Sequence, residues 1–403
     1  MNKLAFSVIG VGARGSGLIP ILAAMPDVQI VGVCDIVPER MEKGQALVQK
    51  TAGYTPAGFT DWHEALTVPH PDAVIVATPW VWHIPIAVEA MKLGIHPATE
   101  VGAAFSVDDC WKLVNTYEET GIMPMLLENR CYNRDELIVL QMARAGVFGK
   151  IAACGMGYSH DLRQEVGGDR YPDHGRVLEY MNRNCNNYAT HPMGQCAMLM
   201  NVNRGNRMMK LTAVSTRSWG MEEYTNNIPN HPLAGSHWEQ GDVTVVLITL
   251  AHGEIIRLVL DTTMPRLYSH TYTVHGTRGT FNGELRQVFL EGMEEDKDIS
   301  RYLNNLDSFR DQYEHPVWRE MNAIIQNGYP HGGQDHLTLS AFVDSLRRDV
   351  PPPIDVYDMA AWKSISPLSE DSITLGGQPV AIPDFTRGMW FRKRPMYTGK
   401  YEI

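Results

Sequence analysis

The chain of 403 residues holds only six cysteines, Cys34, Cys110, Cys131, Cys154, Cys185 and Cys196, and no two form a C-x-x-C pair. That scatter argues against a disulfide framework and against the common zinc and thioredoxin-like motifs. It reads as reduced thiols and predicts a cytoplasmic protein. Cys185 and Cys196 flank the stretch singled out below, but small buried residues are the ordinary role of such cysteines. No basic run occurs and the net charge is −11, which argues against a nucleic-acid or anionic-membrane surface. No apolar run approaches the roughly 18–20 residues of a membrane-spanning helix. The opening Met1-Asn2-Lys3-Leu4-Ala5-Phe6 leads into a strand and predicts no secretory leader. Repeats and low-complexity tracts are absent as well. What is present is a folding composition, 44% hydrophobic, at a length that suggests two domains.

The first 125 or so residues alternate strand-like runs (Leu4–Ile9, Gln29–Cys34, Ala73–Ala77, His96–Glu100, Met123–Glu128) with helical patterns at Pro38–Gln49, Ile84–Leu93 and Val107–Glu119. Ser106 followed by Asp109 makes a capping box for the last helix. Such alternation predicts βαβ units, hence a parallel sheet covered on both faces. After a helix at Glu136–Ala145 the texture changes to longer strands: Ile151–Tyr158, Lys210–Thr216, Asp242–Ala251, Glu254–Asp261 and His270–His275. Ala251-His252-Gly253-Glu254 reads as a hairpin, and the short connections predict an antiparallel sheet. Residues 281–335 read as polar loop, and Pro351-Pro352-Pro353 precedes a short helix around Val356–Trp362. The expected fold is therefore α/β: a dinucleotide-binding Rossmann domain at 1–127, then an α+β domain at 128–403 with a large, mainly antiparallel open sheet.

The first strand runs into Gly10-Val11-Gly12-Ala13-Arg14-Gly15 and then a helix. Gly10 suits the tight turn, Gly12 lets backbone approach a pyrophosphate, and Gly15 lets helix and strand pack closely. The helix N-terminus then offers N–H groups to the phosphates. Asp35 follows Gly15 by twenty residues and ends the second strand. A carboxylate there accepts from the ribose hydroxyls and repels a 2′-phosphate, which predicts NAD rather than NADP; the plainer alternative is a strand-end cap. Thr78-Pro79-Trp80-Val81-Trp82-His83, Glu100 and Glu128-Asn129 end three further strands, on the rim where ligands of such sheets bind. Trp80 and Trp82 are also plausible core residues.

Asn186-Asn187-Tyr188-Ala189-Thr190-His191 runs into the apolar Met193–Met200 and then Asn203-Arg204-Gly205. It reads as the start of a buried helix with a phenol and an imidazole on one face. Both groups transfer protons. The bland reading is a core tyrosine and a turn-capping histidine.

These segments resemble the sugar-acting oxidoreductases named for glucose–fructose oxidoreductase and inositol dehydrogenase. Most members carry Glu-Lys-Pro after the fifth strand, whereas this chain has Glu100-Val101-Gly102 and no lysine for the alcohol. The resemblance is closer to the branch of NAD-dependent glycosidases in glycoside hydrolase family 109, typified by α-N-acetylgalactosaminidase. The matching segments run in order along nearly the whole chain: Leu127-Glu128-Asn129-Arg130-Cys131-Tyr132, Gly157-Tyr158-Ser159-His160-Asp161-Leu162-Arg163, Tyr188-Ala189-Thr190-His191 with Asn203-Arg204-Gly205, His331-Gly332-Gly333-Gln334-Asp335, and Asp355-Val356-Tyr357-Asp358 through Pro367-Leu368-Ser369-Glu370. The resemblance implies NAD contacts at Arg14, Gly15, Asp35, Trp80, Val81, Trp82, His83, Glu100, Val101, Asn129 and Tyr188. It implies substrate contacts at Tyr158, Arg176, Tyr188, Ala189, Thr190, His191 and Tyr268. Ala189, Pro192 and Gly102 depart from the family's pattern, and the loop at 167–176 looks shortened.

The same resemblance implies glycoside hydrolysis without net redox: transient oxidation of the sugar C3 hydroxyl, removal of the acidified C2 hydrogen, loss of the glycosidic oxygen, water addition and re-reduction. Such enzymes stand apart from two-carboxylate glycosidases. Tyr188 and His191 lead as base and proton shuttle, with Tyr158 and Tyr268 as alternatives and Glu128 as a further candidate acid. Arg176 suits a role in positioning a hydroxyl or polarising an enolate. A sugar or polyol dehydrogenase using His191 is the alternative, and a non-catalytic ligand sensor is a third. A homo-oligomer, dimer or tetramer, follows from the resemblance. No metal is expected.

Overall fold

A computed structural model of the protein describes residues 3–168, 175–293, 299–325, 330–392 and 394–403. The chain divides into two compact units. The first gathers Met1–Tyr132, Arg319–Ala360 and Arg394–Ile403, and the second gathers Asn133–Trp318 and Ala361–Lys393.

Six strands build the sheet of the first unit: β1 (Leu4–Ile9), β2 (Val28–Cys34), β3 (Ala57–Phe59), β4 (Ala73–Val76), β5 (His96–Thr99) and β6 (Met125–Leu126). Their order is β3-β2-β1-β4-β5-β6 and every pairing is parallel. The order reverses between β1 and β4, and that switch point defines a crevice at the carboxyl ends of the strands. Helices α1 (Ala13–Ala23), α2 (Pro38–Ala52), α3 (Trp62–Thr67), α4 (His83–Lys92) and α5 (Val107–Thr120) supply the crossovers. All four residues of β4 are buried, as both-face coverage requires. Ser106 caps α5 by accepting the Asp109 N–H at 3.0 Å. The sixth strand is shorter than its sequence suggested, because the chain turns at Asn129–Tyr132 into a 3₁₀ turn. On its outer side, the Leu126 N–H donates to the Ile354 carbonyl at 3.4 Å. The helix Gln334–Arg348 also belongs to this unit, with Phe342 edge-on to Phe6 of β1 at 6.1 Å.

The second unit holds an eight-stranded sheet of β7 (Ile151–Ser159), β8 (Met208–Ser215), β9 (Val243–Leu250), β10 (Ile255–Asp261), β11 (Thr273–Gly276), β12 (Gly279–Asn282), β13 (Gln287–Leu290) and β14 (Val380–Ala381). The order is β13-β12-β11-β7-β10-β9-β8-β14. β7 and β10 run parallel and the other pairings are antiparallel, so the sheet is mixed. The β9–β10 hairpin turns at Gly253, whose φ of +98° needs glycine. One face is covered by the helices Thr190–Leu199 and Ile365–Thr374. Burial alternates along β9 and β10, leaving Leu247 and Ile255 exposed on the other face. Residues 281–335, expected to be loop, instead carry β13, 3₁₀ turns and the helix Pro316–Ile325. The strand and the 3₁₀ turns are too short to show a period, but the ten-residue helix carries one that reading the segment as loop overlooks. Residues 169–174 of the loop expected to be shortened lie outside the described residues.

Candidate active site

The glycine-rich turn of the first unit has the geometry its residues demand. Gly10 adopts φ +92°, and a Cβ there would stand 2.6 Å from the Ala77 carbonyl carbon. A Cβ on Gly15 would stand 1.9 Å from the Gly10 carbonyl oxygen, so α1 packs against the turn only with glycine at that position. Gly12 faces open space and begins α1 with no side-chain cap on the helix N–H groups. An open, uncapped helix N-terminus beside a glycine without a Cβ fits a pyrophosphate. Asp35 is buried at the end of β2 and accepts the Val11 N–H at 2.7 Å and the Val37 N–H at 3.0 Å. The carboxylate therefore ties the turn to β2. It also keeps acceptor capacity, since an ionised carboxylate has about four lone-pair sites.

Trp80, Val81 and Trp82 form a 3₁₀ turn after β4, with Val81 and Trp82 exposed. His83 opens α4, and its Nε2 lies 2.9 Å from the Thr78 carbonyl oxygen. The Trp80 indole lies on Gly102: a Cβ there would stand 2.2 Å from Trp80 Cδ1, at a φ of +133°. Proline, held near −65°, cannot take that conformation. The conformation at Gly102 is therefore incompatible with the proline usual at the third position of the family's triplet.

Arg14 is held on two sides. Its Nε donates to Glu100 Oε1 at 2.8 Å, and Nη1 and Nη2 donate to the two oxygens of Asp335 at 2.7 and 2.6 Å. Asn129 Nδ2 donates to Asp335 Oδ1 at 2.7 Å. Burial works against the Arg14 charge, but Glu100 and Asp335 more than compensate and raise its pKa. Burial raises the Glu100 carboxyl, Asp335 adds to the rise, and Arg14 opposes it. Asp335 stands in His331-Gly332-Gly333-Gln334-Asp335, a segment whose sequence alone assigns it no partner. The available signal was an acid two residues after Gly332-Gly333, at the start of a helix. Glu128 is fully buried in this unit, and its carboxylate accepts the Arg130 N–H at 3.1 Å.

The second unit gathers the other candidates. The helix Thr190–Leu199 has every residue buried except His191. A helix apolar all round is normally core, so His191 is its one outlet. Tyr188 is not on the helix as expected, but in the turn ahead of it, with Ala189 as N-cap. Its ring still meets His191, with centroids 4.8 Å apart and planes at 80°. Pro192 falls in the first helical turn, where no intrahelical N–H is required. Tyr158, at the end of β7, lies 4.4 Å from Tyr188 and 5.5 Å from His191, centroid to centroid. Arg176 places its guanidinium carbon 4.8 Å from the centre of the Tyr188 ring and pairs with Glu165 at 3.3 Å. Burial opposes the Arg176 charge, while Tyr188, Tyr158 and Glu165 outweigh it and raise its pKa. Tyr268 is half-exposed and 6.4 Å from Tyr158. Ala189 and Thr190 are buried beneath this group.

Two histidines to which the sequence assigns no role, His160 and His270, join this group. His160 stands edge-on to Tyr268 at 5.0 Å and to Tyr158 at 6.2 Å. Its Nδ1 is buried without a hydrogen-bond partner among the described residues. Burial, together with Arg176, lowers its pKa against the opposing pull of Glu165 and Asp161. His270 meets Tyr268 at 4.7 Å, with Nδ1 3.2 Å from the Gly157 carbonyl oxygen. Tyr158 is expected from the family resemblance, whereas His160 and His270 lie outside the strands, where no period reports on them. Asn203-Arg204-Gly205 lies beyond the far end of the helix. There the Gly205 N–H donates to the Trp390 carbonyl at 2.6 Å and its own carbonyl meets His252 Nε2 at 2.8 Å. That motif is a clasp.

The parallel sheet, its glycine turn and the strand-end acid define an NAD-binding enzyme of the Rossmann class. Residues 4–127 match the oxidoreductase family, NAD-binding Rossmann fold, and residues 132–392 match the C-terminal domain of glycosyl hydrolase 109. The chain belongs to glycosyl hydrolase family 109 and is an NAD-dependent glycosidase. It is 37% identical over 403 residues to a glycosyl hydrolase family 109 protein of Solibacter usitatus, covering 98% of this chain and 91% of that one. It is 36% identical to an alpha-N-acetylgalactosaminidase of Tannerella forsythia, covering 98% and 90%. Among solved structures, an NAD binding oxidoreductase from Klebsiella pneumoniae aligns with a TM-score of 0.71 at 15% identity, covering 94% and 99%. Levoglucosan dehydrogenase in complex with NADH and levoglucosan aligns with a TM-score of 0.69 at 19% identity, covering 95% and 100%. At such identities the likeness is one of fold. Among the described residues no helix is long and apolar enough to cross a membrane, and no cluster of metal-binding side chains occurs.

Proposed function

We propose that the enzyme hydrolyses α-N-acetylgalactosaminides or closely related glycosides through a redox-neutral cycle at the sugar ring. The observation that supports this most is the packing of Tyr158, Tyr188 and His191 within 5.5 Å, with Arg176 over Tyr188. NAD, when held by Gly10, Gly12, Gly15 and Asp35, would supply reversible oxidation of the sugar C3 hydroxyl. Tyr188 takes the C2 hydrogen as a proton, and the Arg176 charge stabilises the negative charge that develops. His191, the outlet of its helix, delivers a proton to the leaving oxygen and activates the incoming water. Each proton transfer of this kind contributes about 10²–10⁴ in rate. Tyr158 and Tyr268 hold sugar hydroxyls. Glu128 has weaker support as the acid, since its carboxylate serves the Arg130 N–H.

In the cofactor site, Gly10, Gly12 and Gly15 admit the pyrophosphate and Asp35 takes the ribose. Arg14, Trp80, Val81, Trp82, His83, Glu100, Val101 and Asn129 complete it. The cofactor role falls to the unit of Met1–Tyr132 with Arg319–Ala360 and Arg394–Ile403, and the substrate and oligomerisation role to Asn133–Trp318 with Ala361–Lys393, in place of the expected division into 1–127 and 128–403. A homo-oligomer, dimer or tetramer, uses the exposed sheet face bearing Leu247 and Ile255. The six free, buried cysteines suit the cytoplasm. A panel of α- and β-nitrophenyl glycosides, with and without added NAD, tests the reading. Nitrophenol release without NADH accumulation, and solvent deuterium at C2 of the product, are expected. Stoichiometric NADH production from free sugar would replace it with a dehydrogenase.

A further inference from the structure

We propose that Asp335 is a positioning residue of the dinucleotide site, fixing Arg14 and Asn129 from a single carboxylate before the cofactor arrives. The proposal rests on the reading of Arg14 and Asn129 as cofactor contacts. Asp335 is separated from them by 321 and 206 positions in sequence, yet it receives both Nη groups of Arg14 and the amide of Asn129 within 2.7 Å. A forked pair of this kind fixes the plane of a guanidinium as well as its position. Glu100 closes the remaining side through Nε at 2.8 Å. The arginine of the glycine turn therefore has one orientation, and the freedom it would otherwise lose on binding is lost on folding instead.

The local chain is built to aim the carboxylate. Gly332 and Gly333 take φ of +58° and +89°, and the helix Gln334–Arg348 starts immediately afterwards. Asp335 falls in the first turn of that helix, where the macrodipole favours negative charge, and it is 1% exposed. Asp335 also ties this helix to the turn, so a purely structural anchor is the competing account. The two accounts part on whether Asp335 acts through Arg14.

The test is a double-mutant cycle on the whole enzyme: wild type, D335N, R14M and R14M/D335N. NAD⁺ affinity is read by calorimetry, NADH affinity by fluorescence, and apo stability by thermal unfolding. D335N keeps the shape and loses the charge, and is expected to weaken NAD⁺ binding about tenfold, the loss of one charge-assisted bond. R14M/D335N is expected to bind more weakly than R14M only by the smaller share that runs through Asn129, so the two single losses do not add in full. Should D335N fail to fold, D335E, which keeps the charge and moves it by one methylene, carries the same comparison. An affinity unchanged in D335N, or a loss that adds in full to that of R14M, overturns the positioning role. An R14M variant that binds NAD⁺ like wild type overturns the contact reading beneath it.

Discussion

Replacing Gly102 by alanine puts the Trp80 contact to a quantitative test. The new Cβ would stand 2.2 Å from Cδ1, 2.4 Å from Nε1 and 2.6 Å from Cγ of the indole, at a φ of +133°. Ordinary carbon contacts begin near 3.5 Å, so the ring must retreat by more than about 1 Å. Overpacking of that order costs about 1–3 kcal/mol, and a side chain at such a φ costs about 1–3 kcal/mol more. G102A is therefore expected to lose about 2–6 kcal/mol in urea unfolding. The same substitution in a W80A background keeps the backbone strain but loses the overlap, so the cycle should return a coupling of about 1–3 kcal/mol. Equal costs in the two backgrounds would refute the idea that Trp80 dictates the glycine. G102P should be worse than G102A in both, because its φ is fixed near −65°.

H191A is expected to lower kcat by about 10²–10⁴ on a nitrophenyl glycoside while leaving NAD⁺ affinity unchanged, and steady-state kinetics beside calorimetry check both. D35N leaves one acceptor for the two N–H groups of Val11 and Val37, so it should cost about 1–3 kcal/mol of stability and narrow the preference for NAD over NADP. His160 binds its proton less readily in the folded state than the usual value near 6.5. The unfolded chain is protonated first as pH falls through that value, so His160 stability is full above it and declines towards the lower folded value. Denaturant titrations between pH 7.5 and 5.5 should show a smaller loss in H160Q than in wild type.

The longer strands of the first 100 residues are legible because each is bounded by its own turn chemistry, whereas the three-residue β3 and the short α3 are too brief to show a pattern. Leu4–Ile9 was recovered without error, and Ser106 caps the helix it was expected to cap. Local signals failed where partners are distant. β6 shrank to two residues, with Ile354 beside it, and β7 pairs in parallel with β10, a relation that no hairpin period reports. Tyr188 and His191 were rightly brought together but for a different reason. The expected spacing on one helix face became a turn residue folded back on the first helical turn. Asp335 follows Gly332-Gly333 in sequence, yet only the return of residues 319–360 to the first unit gives it a role.

That return has a consequence for synthesis. When residue 132 leaves the ribosome, the parallel sheet has all its strands, but neither Arg14 nor Asn129 has its carboxylate. Asp335 follows Arg14 by 321 residues, an interval of roughly 15–60 s at ordinary elongation rates. A nascent dinucleotide domain therefore waits, with Arg14 paired to Glu100 alone, while β7 to β13 of the second sheet are made. A fragment ending at residue 127 would stay in that waiting state indefinitely. Nascent chains should accordingly acquire NAD retention only after the helix beginning at Gln334 has emerged.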